Sequence, residues 1–232
     1  MIYDDMSITL YICITISFSL FYNLTFVVAR KIIDKLLDKY IFNAEWLGRH
    51  GEKLTERELK LVRLLGRDGK ILRNVYIPKK NGETSEIDVL YITQKGIFVI
   101  ESKNYSGWVF GSEKNYQWTV SLPNGLKNKL YNPIKQNQTH IKWLQKYVGE
   151  DVPLFSIIVF SERCTLKIKG ETSVPVINRD RLYATIRNTW KRTEDTLTDE
   201  QVNKLYEQLK ELTHISKEDK QKHVEDIKKK FK

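Results

Sequence analysis

Three regimes of apolar and polar spacing run along this chain. Residues 6–29, MSITLYICITISFSLFYNLTFVVA, carry no charged side chain, and a helix needs about 20 such residues to cross a hydrocarbon core about 30 Å thick. Ser7, Thr9, Thr15, Ser17, Ser19 and Thr25 interrupt the run, but hydroxyls can bond back to helix carbonyls. Asn23 is its weakest point. Asp4 and Asp5 precede the run while Arg30, Lys31, Lys35 and Lys39 follow it. That bias predicts a single-pass transmembrane helix with the N-terminus outside and the main domain cytoplasmic. A cleaved secretory signal ending at Val27-Val28-Ala29 fits less well, because the apolar run is too long and its leading end is acidic. Next, Ile32, Ile33, Leu36, Leu37 and Tyr40 recur at helical spacing, predicting a juxtamembrane amphipathic helix over residues 30–45.

From residue 46 the pattern becomes that of an α/β domain. Leu54, Leu61, Val62 and Leu65 predict a helix from Gly51-Glu52 to about Leu65, stopped by Gly66 and Gly69. Residues 70–77, 84–93 and 96–103 are β-rich, separated by the turn signals Lys80-Asn81-Gly82 and Gln94-Lys95-Gly96, and read as an antiparallel meander. In the third run Ile97, Val99, Glu101 and Lys103 share one face and Phe98, Ile100 and Ser102 the other, so both faces are apolar until a charged end and the strand is central. Residues 107–120 suggest two short aromatic strands. Asn132-Pro133 opens a helix with Asn as cap and Pro at the first helical position, and Ile134, Ile141, Leu144 and Val148 form its stripe before Gly149. Residues 153–161 form a buried strand, residues 174–177 a short one, and helices over about 179–191 and 198–212 close the fold. The lysine-rich residues 217–232 read as a solvated end.

Composition narrows the partners. A length of 232 residues with 41% hydrophobic content suits one ordinary domain plus an appendage. The net charge of +10 and isoelectric point near 9.4 favour a polyanion, either nucleic acid or an anionic membrane face. Two cysteines, Cys13 and Cys164, allow neither a disulfide framework nor a cysteine zinc site and suit a reducing compartment. His50 has no neighbouring histidine in sequence and is expected to face solvent.

The chemistry lies at the strand ends. Asp88 sits midway in the second strand and Glu101 near the end of the third, where antiparallel neighbours can bring two carboxylates together. Such a pair suits a magnesium ion whose remaining shell is water and phosphate. Lys103 points to the face of Glu101 and can stabilise charge on phosphorus. Glu52, on the first helix, is a candidate third carboxylate.

These residues resemble the nuclease-related domain (NERD), a branch of the PD-(D/E)XK nuclease superfamily. The resemblance rests on Gly51-Glu52, Glu86-Ile87-Asp88, the run Gly96 to Lys103, Gly107, Trp118, and Asn132-Pro133 with Gln136, in that order; it covers about residues 48–161. It implies a mixed central β-sheet flanked by helices, a magnesium-dependent phosphodiesterase site (with manganese as a substitute), and DNA or RNA as substrate. It places the acidic helix position on Glu52, metal ligands on Asp88 and Glu101, the catalytic lysine on Lys103 and a polar helix position on Gln136. The nuclease-related domain is expected over residues 46–192, followed by a C-terminal helix and lysine-rich tail over 193–232.

Each assignment has a plainer competitor. Asp88 and Glu101 could be structural ion-pair partners, and Glu52 could serve a helix dipole from the first turn. Gln136 and His140, beside Trp143 and Tyr147, could border a groove or form the solvent side of their helix, the latter preferred. For Tyr105, Trp108, Tyr116 and Trp118, core packing is preferred over base stacking. As a whole, the expectation is a membrane-anchored magnesium nuclease. Its alternative is an inactive nucleic-acid- or protein-binding module tethered to the membrane, or a scaffold whose charge serves the inner leaflet.

Overall fold

The structure, a computed structural model, describes residues 44–80, 82–122 and 124–214. The predicted transmembrane helix over residues 6–29, nearly all of the juxtamembrane helix and the end beyond residue 214 lie outside the described residues. Among the described residues no helix is long and apolar enough to cross a membrane. The chain divides into two compact units, residues 1–47 and 48–232; all that follows concerns the second.

Helix α1 (Ala44–Leu64) leads into β1 (Lys70–Pro78), β2 (Thr84–Thr93) and β3 (Gly96–Lys103), then β4 (Gly107–Gly111), β5 (Gln117–Ser121) and β6 (Lys127–Tyr131). Helix α2 (Pro133–Val148), β7 (Leu154–Phe160), β8 (Cys164–Ile168), β9 (Val176–Asn178), α3 (Leu182–Arg192) and α4 (Asp199–Glu211) complete it. The first sheet has the order β1-β2-β3-β7-β9 and the second β6-β5-β4-β8. Both are mixed: β1, β2 and β3 form the expected antiparallel meander, whereas β3, β7 and β9 run parallel. In the second sheet β4 pairs antiparallel with β5 and parallel with β8.

β3 is the middle strand, and its burial on both faces explains its continuous apolar run. One face packs Ile97 and Val99 with Leu144 of α2 and Val202, Leu205 and Leu209 of α4. The other packs Phe98 and Ile100 with Leu59 and Val62 of α1 and Leu182 and Ile186 of α3. Helix α4 therefore belongs to the core of the unit. A third cluster joins Val109, Trp118 and Val120 of the second sheet to Ile134 and Phe160.

One local feature prepares the site. Leu72 and Leu90 face α2 and α4, and so do Val75 and Ile87, although three positions along a strand should reverse the face. The pairs Arg73–Val89 and Val75–Ile87 nevertheless keep one register. Both strands therefore turn over together at Asn74 and Asp88. Asn74 does this with φ 51, a left-handed conformation that Asn tolerates better than most side chains. Pairing of β2 with β3 ends at Val89–Ile100, so Asp88 lies where the two strands part.

Two strands have no counterpart among the predicted elements. β6 (KNKLY) and β8 (CTLKI) are the edge strands of the second sheet, and polar edge positions weaken the apolar signal. Helix α1 also starts at Ala44 rather than at Gly51. Glu52 thus lies well inside the helix, and the first-turn dipole role falls away.

Candidate active site

Asp88, Glu101 and Lys103 meet where β2 and β3 separate. The backbone N–H of Ser102 donates to Asp88 Oδ2 at 2.8 Å, so the aspartate fills the place of the missing strand partner. Glu101 is fully buried, with Lys103 Nζ 2.5 Å from Oε1 and His140 Nε2 3.2 Å from Oε2. Both are close contacts without hydrogen-bond alignment: both Glu101 oxygens and His140 Nε2 lack a directed hydrogen bond. Lys103 Nζ also donates to Gln136 Oε1 at 3.2 Å. Ser85 Oγ lies 2.8 Å from His140 Nδ1. If the serine hydroxyl donates there, Nε2 carries its proton toward the carboxylate, which avoids facing lone pairs.

Helix α2 supplies this side of the site. Asn132 caps it, its side chain accepting from Ile134 N at 2.9 Å, and Pro133 occupies the first position as expected. The buried stripe is Ile134, Asn137, His140 and Leu144, with Asn137 Nδ2 donating to Val99 O at 2.9 Å. Ile141 and Val148 are only partly buried. His140 is therefore turned inward with Gln136 beside it, contrary to the solvent-side expectation. A histidine flanked by polar residues gives no sign of its inward role until α2 is laid across β3.

Glu52 approaches from the other face. It is buried on α1, and Asn74 Nδ2 donates to its Oε2 at 2.9 Å and to Glu86 Oε1 at 3.3 Å. Tyr76 Oη also donates to Glu86 Oε1, at 2.6 Å. The turnover at Asn74 thus links Glu52 to the strand bearing Asp88. Gly51 lets α1 approach, since a Cβ there would stand 2.7 Å from Asn104 Cβ, just past Lys103. Neither Asn74 nor Tyr76 stands out in the sequence pattern; an Asn within the β-rich run KILRNVYIP is the available signal.

The charges respond to this crowding in opposite directions. Asp88 is raised well above the usual carboxylate value, by burial first and then by the charge of Glu101, with Glu52 adding to it. For Glu101 burial alone would raise the value, but Lys103 and then His140 outweigh it and hold the carboxyl near 2. Burial would lower Lys103, yet Glu101 and Asp88 raise it, so the ammonium is kept charged.

The donor set is two hard carboxylate oxygens beside a fixed cation. Among the described residues no three His, Cys, Asp or Glu side chains form a metal-holding group. A cavity of about 890 Å³ lined by Glu56, Lys60, Arg63, Lys70, Asp199 and Tyr206, among others, contains none of these site residues; its mixed charges select no ligand class. Of the four aromatics expected in the core, Trp118 is core and Tyr105 packs against the same cluster, but Trp108 and Tyr116 are exposed. His50 is exposed as expected.

The fold is that of a mixed α/β protein with a cluster of buried charges where β2 and β3 part. A comparison with protein families matches the nuclease-related domain (NERD) over residues 47–161, and the chain belongs to that family. It is similar to an uncharacterized protein of Bacillus anthracis, with 31% identity over 201 residues, covering 86% of this chain and 91% of that protein. No solved structure matches it.

Proposed function

We propose that the protein is a metal-dependent phosphodiesterase acting on DNA or RNA, held at the cytoplasmic face of a membrane by residues 6–29. The observation that carries the proposal is the convergence of Asp88, Glu101 and Lys103 at the parting of β2 and β3, with both Glu101 oxygens buried and lacking aligned hydrogen bonds. Lys103 already offsets one of the two buried carboxylates, and the crowding that still raises Asp88 is what a divalent ion would relieve. All-oxygen donors with shell positions left for water and phosphate suit magnesium, or manganese in its place. Membership of the nuclease-related family supports nucleic acid and a divalent ion in general terms.

In this reading Asp88 and Glu101 hold the cation, which supplies Lewis-acid stabilisation of charge on the phosphoryl group. Lys103 brings a permanent positive charge to the same place, aimed by the Gln136 carbonyl oxygen. His140, set by Ser85, orients Glu101. Ser102 N–H orients Asp88, and Glu52 adds negative charge from the α1 side.

A panel of single- and double-stranded DNA and RNA, incubated with the full-length protein in magnesium, manganese or EDTA, tests this. Cleavage is expected with either metal and absent in EDTA. Asp88→Ala should abolish it with the fold intact, and Lys103→Ala should slow it by about 10²–10³-fold, as for loss of one charge-stabilising donor. Cleavage that survives in Asp88→Ala would sink the assignment. The net charge of +10 also suits a binding module with a silent site; salt-sensitive binding without metal-dependent cleavage would select that reading.

A further inference from the structure

The outward face of the second sheet is unlike the rest of the surface. Its inner face is closed by Val109, Trp118 and Val120, so the alternate residues of β4, Trp108 and Phe110, point away and are 48% and 45% exposed. Strand register puts Lys127, Ser121, Trp108 and Thr165 in one row across the four strands. Lys129, Thr119, Phe110 and Lys167 form the next. Lys129 Nζ donates to Thr119 Oγ1 at 3.1 Å, which confirms that they share the face. Tyr131 continues the β6 column, its ring edge-on to exposed Tyr116 at 5.0 Å. Neither row contains an acidic residue, and Glu113 in the β4–β5 connection is engaged by Ser173.

We infer that this face binds single-stranded nucleic acid, with bases stacking on Trp108 and Phe110 and the backbone held by Lys127, Lys129 and Lys167. Two residues along a strand separate the rings by about 6.6 Å, a spacing that unstacked bases of an extended strand can meet. Duplex bases are already stacked on one another and cannot reach rings lying on a sheet. Lysines on β6 and β8 flank the ring-bearing strand on both sides, giving a basic face with stacking platforms of the kind that sequence-tolerant single-strand binding uses. A bilayer fits less well, because the rings are interleaved with Ser121, Thr119 and Thr165 at sheet level instead of forming a continuous apolar patch. Only residues 104–106 separate β3, which ends at Lys103, from β4, which begins at Gly107. The inference deepens the nucleic-acid reading above and rests on it for the class of ligand, but it does not need cleavage.

The test is binding of a fluorescent oligothymidylate, the corresponding duplex and anionic phosphatidylserine vesicles to the full-length protein in EDTA. The oligothymidylate should bind more tightly than the duplex. The double variant W108A/F110A should lose at least about tenfold in single-strand affinity while keeping its melting temperature, since both rings are exposed. The triple variant K127Q/K129Q/K167Q should flatten the salt dependence. Unchanged single-strand affinity in W108A/F110A, preference for the duplex, or a loss confined to vesicle binding would each overturn it. Metal-dependent cleavage, measured separately on the parent, decides the catalytic reading independently of this result.

Discussion

Asp88 and Glu101 are the same kind of group in the same notch, and their opposite acidities show that a residue's chemistry is set by its neighbours. Asp88 binds its proton more tightly when folded than when unfolded. Its ionisation therefore subtracts from stability once pH rises above the ordinary value of 3.8. Asp88→Asn should accordingly raise the melting temperature at neutral pH in EDTA. The gain should vanish in scans below about pH 4. Glu101 behaves in reverse: its folded value near 2 lies below the ordinary 4.5, so its stabilisation is present above 4.5 and is lost as pH falls through 2. Glu101→Gln should destabilise at neutral pH, toward the lower end of the ~3–5 kcal/mol cost of breaking a buried pair, because Lys103 retains 17% side-chain exposure. Equal melting temperatures for the two variants would contradict this account.

Elements differ in how plainly their sequences announce them. β2, β3 and α2 could be read in advance because their apolar periods are long and their ends carry turn or cap residues. β8 had strict alternation in Cys164, Leu166 and Ile168 but is five residues long, and β6 buries only Leu130. Both depend on sheet partners remote in sequence. Two substitutions test how elements hold the site. Asn132→Ala removes the α2 cap and the donations of its side chain to the carbonyls of Glu113 and Asn115, at 2.9 and 2.7 Å, and should cost about 2 kcal/mol in urea unfolding. Gly107→Ala meets Ser121 O at 2.2 Å with φ 83, so the join between the two sheets must shift. Its cost should exceed the ~1 kcal/mol of an ordinary glycine replacement, and a smaller loss would show that the join is pliable.

At the scale of the whole molecule, membrane fractionation tests the N-terminal span proposed for residues 6–29. The full-length chain should sediment with membranes and resist high-salt extraction, whereas deletion of residues 6–29 should release it; extraction of the full chain by salt alone would leave only electrostatic attachment. The sequence by itself determined the family, the meander of β1, β2 and β3 and the central position of β3, and it put forward Asp88, Glu101, Lys103, Glu52 and Gln136 as candidates, because local periodicity and motif order are properties of the chain. Only the tertiary structure decided that β3 and β7 run parallel, that Asn74 and Asp88 turn their strands over together, and that His140 faces Glu101. It also separated Trp118, which is core, from Trp108, which is surface. Those outcomes depend on which strand lies beside which and which helix covers which face, contacts between residues tens of positions apart that no local pattern encodes.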